Sequence, residues 1–134
     1  MSWRGAAWLA ALLAAAPACG CVPDFAGAQR TLAAGRYAVA YRAVPQKIPL
    51  GQHFALELAV CANAGAPPFE ELTVDARMPE HGHGMNYKTS VRRTADGRYR
   101  AEGLLFHMPG RWEIIIELRA AARTDRVTQS EVIE

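Results

Sequence analysis

Polar and apolar residues alternate through most of the chain beyond residue 35. Arg36 to Val44 (RYAVAYRAV) alternates and stops at Pro45, as a half-buried strand does where proline removes a donor. His53 to Ala62 (HFALELAVCA) puts Phe54, Leu56, Leu58 and Val60 on one face, and Leu72 to Met78 (LTVDARM) turns Leu72, Val74 and Ala76 inward with Asp75 and Arg77 outward. After a Gly/His segment at 80–86 the chain extends from Tyr87 to Thr94, turns at Ala95-Asp96-Gly97 and returns from Arg98 to Phe106. The Asp-Gly pair is a hairpin signal. Met108-Pro109-Gly110 makes another tight turn before Trp112 to Leu118 (WEIIIEL), whose inward face is Trp112, Ile114, Ile116 and Leu118. A last strand runs over 126–133. About seven short strands at intervals of roughly 10 residues, with no helical period after the N-terminal stretch, predict an all-β, immunoglobulin-like antiparallel β-sandwich. The Gly/Pro loop Asn63 to Pro68 is a strand connection and not a domain boundary, because neither side is long enough for its own core.

The first 18 residues break this pattern. Arg4 precedes an uncharged Ala/Leu run from Ala6 to Ala16, too short for the roughly 20 residues that cross a bilayer, and Ala16-Pro17-Ala18 is a small-residue cleavage pattern. Residues 1–18 are therefore expected to be an export signal, which directs the chain to the periplasm or cell envelope. Cys19 and Cys21 follow, each after a small residue, as lipidated cysteines do, although Ala16 and Ala18 stand where a lipobox usually has a larger aliphatic side chain. Two outcomes stay open: a membrane tether through lipidated Cys19 or Cys21, or release by cleavage after Ala18. Residues 19–35 are read as a linker and 36–134 as the sandwich domain. Acylation of Cys19 leaves Cys21 and Cys61 to pair, whereas acylation of Cys21 leaves Cys61 alone. In the apolar run Leu58 to Ala62, Cys61 reads foremost as a small buried hydrophobe.

Charge excludes one class of partner. The whole chain carries +2, and loss of Arg4 with the leader brings the remainder close to neutral. Arg92, Arg93, Arg98 and Arg100 flank a hairpin without interleaved aromatics, so no nucleic-acid surface is expected. Catalysis lacks a nucleophile with a base and lacks paired carboxylates in a marked context; Ser90 and Ser130 lie on ordinary strands, and the chain is not read as an enzyme.

The candidate chemistry lies between Met78 and Trp112. Three of the four histidines (His81, His83, His107) and Met78, Met85 and Met108 fall there. In an extended segment His81, His83 and Met85, at i, i+2 and i+4, face one way, and Gly82 and Gly84 free the backbone to bend. Two imidazoles and a thioether then make half a metal site, which His107 and Met108 complete if strand pairing brings their turn alongside. Thioether is a soft donor suited to Cu(I), so the mixed set favours copper over zinc, which would want cysteine or carboxylate. Blue-copper electron transfer needs a thiolate, and no cysteine follows Cys61. Simpler roles stand beside these: Met78 as core, Met85 as packing, His107 as a hydrogen-bonded histidine following Leu105 in alternation, and His53 as a structural or exposed residue.

The segments MPEHGHGMNY and GRYRAEGLLFHMPGRWE resemble the YtkA-like domain family, more distantly FixH proteins and CopC-like copper carriers, over residues 36 to 134. The resemblance implies a small exported or membrane-tethered sandwich that handles copper, singles out His81, His83, Met85, His107 and Met108, and suggests a copper-receiving membrane or periplasmic protein as partner. The chain lacks the retained transmembrane helix of FixH and differs from CopC in histidine spacing. The competing expectation is an accessory sandwich whose His/Gly loop is a rigid docking turn, with Gly82 and Gly84 at positive φ.

Overall fold

The computed structural model describes residues 23–25 and 27–134, so the expected signal segment, the cleavage site and both candidate lipidation cysteines lie outside the described residues. Among the described residues nine strands form two antiparallel sheets: β1 (Arg30–Ala34), β2 (Tyr37–Val44), β3 (His53–Ala62), β4 (Glu71–Met78), β5 (His83–Gly84), β6 (Ser90–Ala95), β7 (Arg98–Leu105), β8 (Gly110–Ala120) and β9 (Arg123–Ile133). One sheet has the order β1-β2-β3-β7-β6 and the other β5-β4-β8-β9. Every residue expected to face inward on the second, third and last-but-one predicted strands is buried, and the two inner faces close one core around Trp112, Leu56, Leu58, Ile114, Ile116 and Met78. Among the described residues no helix is long and apolar enough to cross a membrane.

Two elements correct the sequence reading. The stretch expected to be the end of a linker contains β1, which pairs with β2 from Arg30↔Tyr41 to Ala34↔Tyr37. Its two-residue turn depends on Gly35, at φ +58°, where an added Cβ would collide with the carboxylate of Asp125. The strand expected to begin at Tyr87 begins at Ser90, and the Gly/His segment contributes the two-residue β5.

Cys61 is buried as expected, but it is disulfide-bonded rather than a plain apolar filler, with its partner outside the described residues. Sequence alone could not choose between these, because the partner is remote in the chain.

Asp125 is the one buried charged side chain among the described residues. It holds Arg36 at 2.7 Å and Arg123 at 3.3 Å. Burial pushes its pKa up, but hydrogen bonds from the Arg36 side chain and backbone, with the charges of Arg36 and Arg123, outweigh this and hold it below the ordinary 3.8. A depressed folded pKa stabilises fully above the unfolded value and fades as pH falls from there through the lower folded value. The protein should therefore lose stability below about pH 4. Urea midpoints measured at about pH 6 and about pH 3 should fall further in the native protein than in Asp125→Asn; equal falls would remove Asp125 from the account.

Candidate functional site

The cluster sits at the end of the sandwich where β4 and β7 finish and β3 and β8 begin. Leaving β4, the chain makes a tight turn over Pro79 to Gly82, closed by donation from the His81 and Gly82 amides to the Met78 carbonyl at 3.2 and 3.0 Å. Gly82 supplies the positive φ, +67°, and has open space around it. The chain then returns along β4 with His83 opposite Met78 and Gly84 opposite Arg77, and the Met85 amide donates to the Ala76 carbonyl at 3.3 Å.

This geometry changes the expected common direction of His81, His83 and Met85. Directly opposed residues of an antiparallel pair share a face, so His83 shares the core-facing side of Met78, and Met85 packs partly buried against the core. His81 lies in the turn, not in an extended segment, and is exposed. Gly84 has no positive φ; its constraint is proximity, since a Cβ there would stand 3.3 Å from the Ala76 carbonyl.

The other half arrives over the end of β7. Glu102 and Gly103 together face Ala55, because Phe54 pairs with Leu104 while Leu56 pairs with Ala101. Such a bulge advances the side-chain phase by one residue. Phe106 is thereby fully buried and His107 is exposed, so the alternation that followed Leu105 inward to His107 does not hold. Met108 packs partly buried on the core, and its carbonyl accepts the Trp112 Nε1 proton at 3.0 Å.

His83 is the hub. Its ring centre lies 5.7 Å from that of His81 and 5.2 Å from that of His107. Two imidazoles sharing one ion through bonds of about 2.0–2.1 Å have ring centres roughly 5–6 Å apart, so both spacings suit a shared ion. No three His, Cys, Asp or Glu side chains among the described residues stand as a ready-made set for one ion. The arrangement is a pair of imidazole contacts through His83 with the thioether residues Met85 and Met108 on the neighbouring backbone. His83 Nδ1 donates to the Gly84 carbonyl at 3.0 Å.

Met78 is core, fully buried, with its terminal methyl carbon 2.8 Å from where a Gly110 Cβ would lie. His53 is exposed, donates from Nδ1 to the Leu104 carbonyl at 3.3 Å, and meets Tyr87 edge-on at 4.9 Å, which agrees with a structural role. Two contributors escaped the sequence reading. Trp112, read only as core, stands edge-on to both His83 and His107. Arg111 ties the His81 turn to β8 through Glu80 at 3.0 Å, a pairing between two motifs that only tertiary structure brings together.

Among curated proteins nothing matches the chain. Among solved structures it is similar to a DUF4426 family protein from Pseudomonas aeruginosa PAO1, with 13% identity, a TM-score of 0.49, and coverage of 79% of this chain and 96% of that one. The YtkA-like family model matches residues 33–117, which include both halves of the cluster. That match spans more than half of the sequence, and the chain belongs to the YtkA-like family.

Proposed function

We propose that this chain is an exported copper-binding domain that holds Cu(I) at the His/Met cluster and delivers it to a copper-receiving membrane or periplasmic protein. The observation that carries the reading is the position of the His83 ring, within metal-sharing distance of both His81 and His107. Two sequence motifs more than twenty residues apart thus meet at one imidazole. The accompanying Met85 and Met108 supply soft donors that favour Cu(I), and closing the set on an ion takes side-chain rotation at an exposed end of the sandwich.

Export is supported by the disulfide at Cys61, since such bonds persist in oxidising compartments. Of the two lipidation schemes, a bonded Cys61 favours Cys19 as the lipid carrier with Cys21 as its disulfide partner. Cys61 and His53 stand at opposite ends of β3, which at about 3.3 Å per residue separates them by roughly 25 Å. A tether fastened near Cys61 leaves the cluster pointing away from the membrane, toward an incoming acceptor.

Titration of the purified protein with Cu(I) under a competing chelator tests the reading. One equivalent should bind. His83→Ala should weaken binding by more than about 100-fold, beyond what loss of a supporting group costs, and His81→Ala should cost less because His81 contacts the cluster only through His83. Binding unaffected by His83→Ala, or no binding at all, would sink the copper reading and leave an accessory docking module.

A further inference from the structure

Trp112 occupies the inner wall of the cluster. Its indole is fully buried, stacked on Phe106 with ring centres 4.5 Å apart, and held by the hydrogen bond from Nε1 to the Met108 carbonyl at 3.0 Å. The imidazoles of His83 and His107 stand 6.0 and 5.3 Å from it at angles of 69° and 80°. With 5.2 Å between the two imidazoles themselves, the midpoint of the pair falls roughly 5 Å from the indole centre, within the about 6 Å at which a cation standing over a ring's face is attracted. The hydrogen bond at His83 selects a tautomer. A carbonyl oxygen only accepts, so the neutral ring carries its proton on Nδ1, toward Gly84, and keeps the lone pair on Nε2.

We propose that Trp112 is the specificity-determining wall of this site: His83 and His107 would hold an ion beside the indole, which would favour a soft monovalent ion over Zn(II). The inference rests on the metal-binding reading above. Cation attraction by a ring grows as water is removed, and Trp112 is the fully desolvated side of the cluster. A divalent zinc ion is best served by thiolate, imidazole or carboxylate donors that balance its charge, or by water in an open position. A buried indole provides none of these. Cu(I), already suited by thioether sulfur, loses nothing by having the ring in place of water.

The test uses the full chain carrying Trp3→Phe and Trp8→Phe, which leaves Trp112 as the sole tryptophan. Tryptophan emission is followed during titration with Ag(I), a redox-inert stand-in for Cu(I), and with Zn(II), while a chromophoric competitor reports binding independently. One equivalent of Ag(I) should quench and shift the emission. Adding Trp112→Phe should lower Ag(I) affinity by a few-fold, less than the about 2- to 30-fold that the whole ring interaction is worth because phenylalanine keeps a weaker ring, and leave Zn(II) affinity where it was. Ag(I) binding with unchanged Trp112 emission overturns the inference while the copper reading survives, and the emission titration needs no variant at Trp112. Equal losses for Ag(I) and Zn(II) also overturn it, since a purely structural residue would act on both ions alike. Absence of any Ag(I) binding overturns the metal reading and this proposal with it.

Discussion

Replacing Gly103 with alanine is expected to lower stability by about 3 kcal/mol or more and the melting temperature by at least about 10 °C. Two costs act together. Gly103 sits at φ +90°, where an L side chain is strained, and its Cβ would lie 2.7 Å from the Lys88 carbonyl oxygen and 3.5 Å from the Thr89 Cα. Both neighbours are backbone, so neither can swing away as a flexible side chain would. Gly51→Ala separates the two costs: Gly51 has φ +69° with open space around it, and the strain alone should be about 1–2 kcal/mol. Thermal unfolding of the two variants side by side measures the difference. If Gly103→Ala proves no worse than Gly51→Ala, the close approach to Lys88 is not part of the folded state. The bulge matters beyond stability, because it turns Phe106 into the core and leaves His107 exposed beside His83.

Where local alternation is strong, the fold is legible from the residues themselves. WEIIIEL buries Trp112, Ile114, Ile116 and Leu118 in β8 as read, and Asp96-Gly97 is the two-residue link from β6 to β7, with Gly97 at φ +63°. Legibility ends where structure depends on distant partners. In β1 only Leu32 and Ala34 turn toward the core, and the Gly35-Arg36 turn that docks the strand is held by Asp125, 89 residues beyond Arg36. The candidate site shows the same division. His83 and Met85 follow the period of two, whereas His81 escapes it because its amide closes a turn onto Met78. The phase of His107 depends on a bulge whose glycine presses against the backbone at Lys88, a contact no periodicity announces. The meeting of the two motifs was readable only as a condition on strand pairing; the ring spacings at His83 come from the turn at Met78 and the bulge in β7.

Trp112→Ala should destabilise the fold by about 3–5 kcal/mol, the range for removing a large aromatic from a packed core. The side chain is fully buried at the seam between the sheets, stacked on Phe106 and donating to Met108. Its removal leaves a cavity under the cluster and deprives the Met108 carbonyl of its partner. Chemical denaturation followed by far-ultraviolet circular dichroism measures the loss without relying on tryptophan emission. A cost below about 1 kcal/mol would mean that the site end of the sandwich is not packed as described. The consequence reaches the chemistry as well. Trp112 is what the backbone at Met108 and the rings of His83 and His107 all lean on, so on the proposed copper reading the alanine variant should lose metal binding with every candidate ligand still in the chain. Trp112→Phe, which keeps an aromatic ring against Phe106 and gives up the Nε1 proton, should retain the fold and expose only the ion preference. The contrast between the two variants separates support of the cluster's shape from the proposed contact with an ion, since alanine removes both and phenylalanine preserves most of the first.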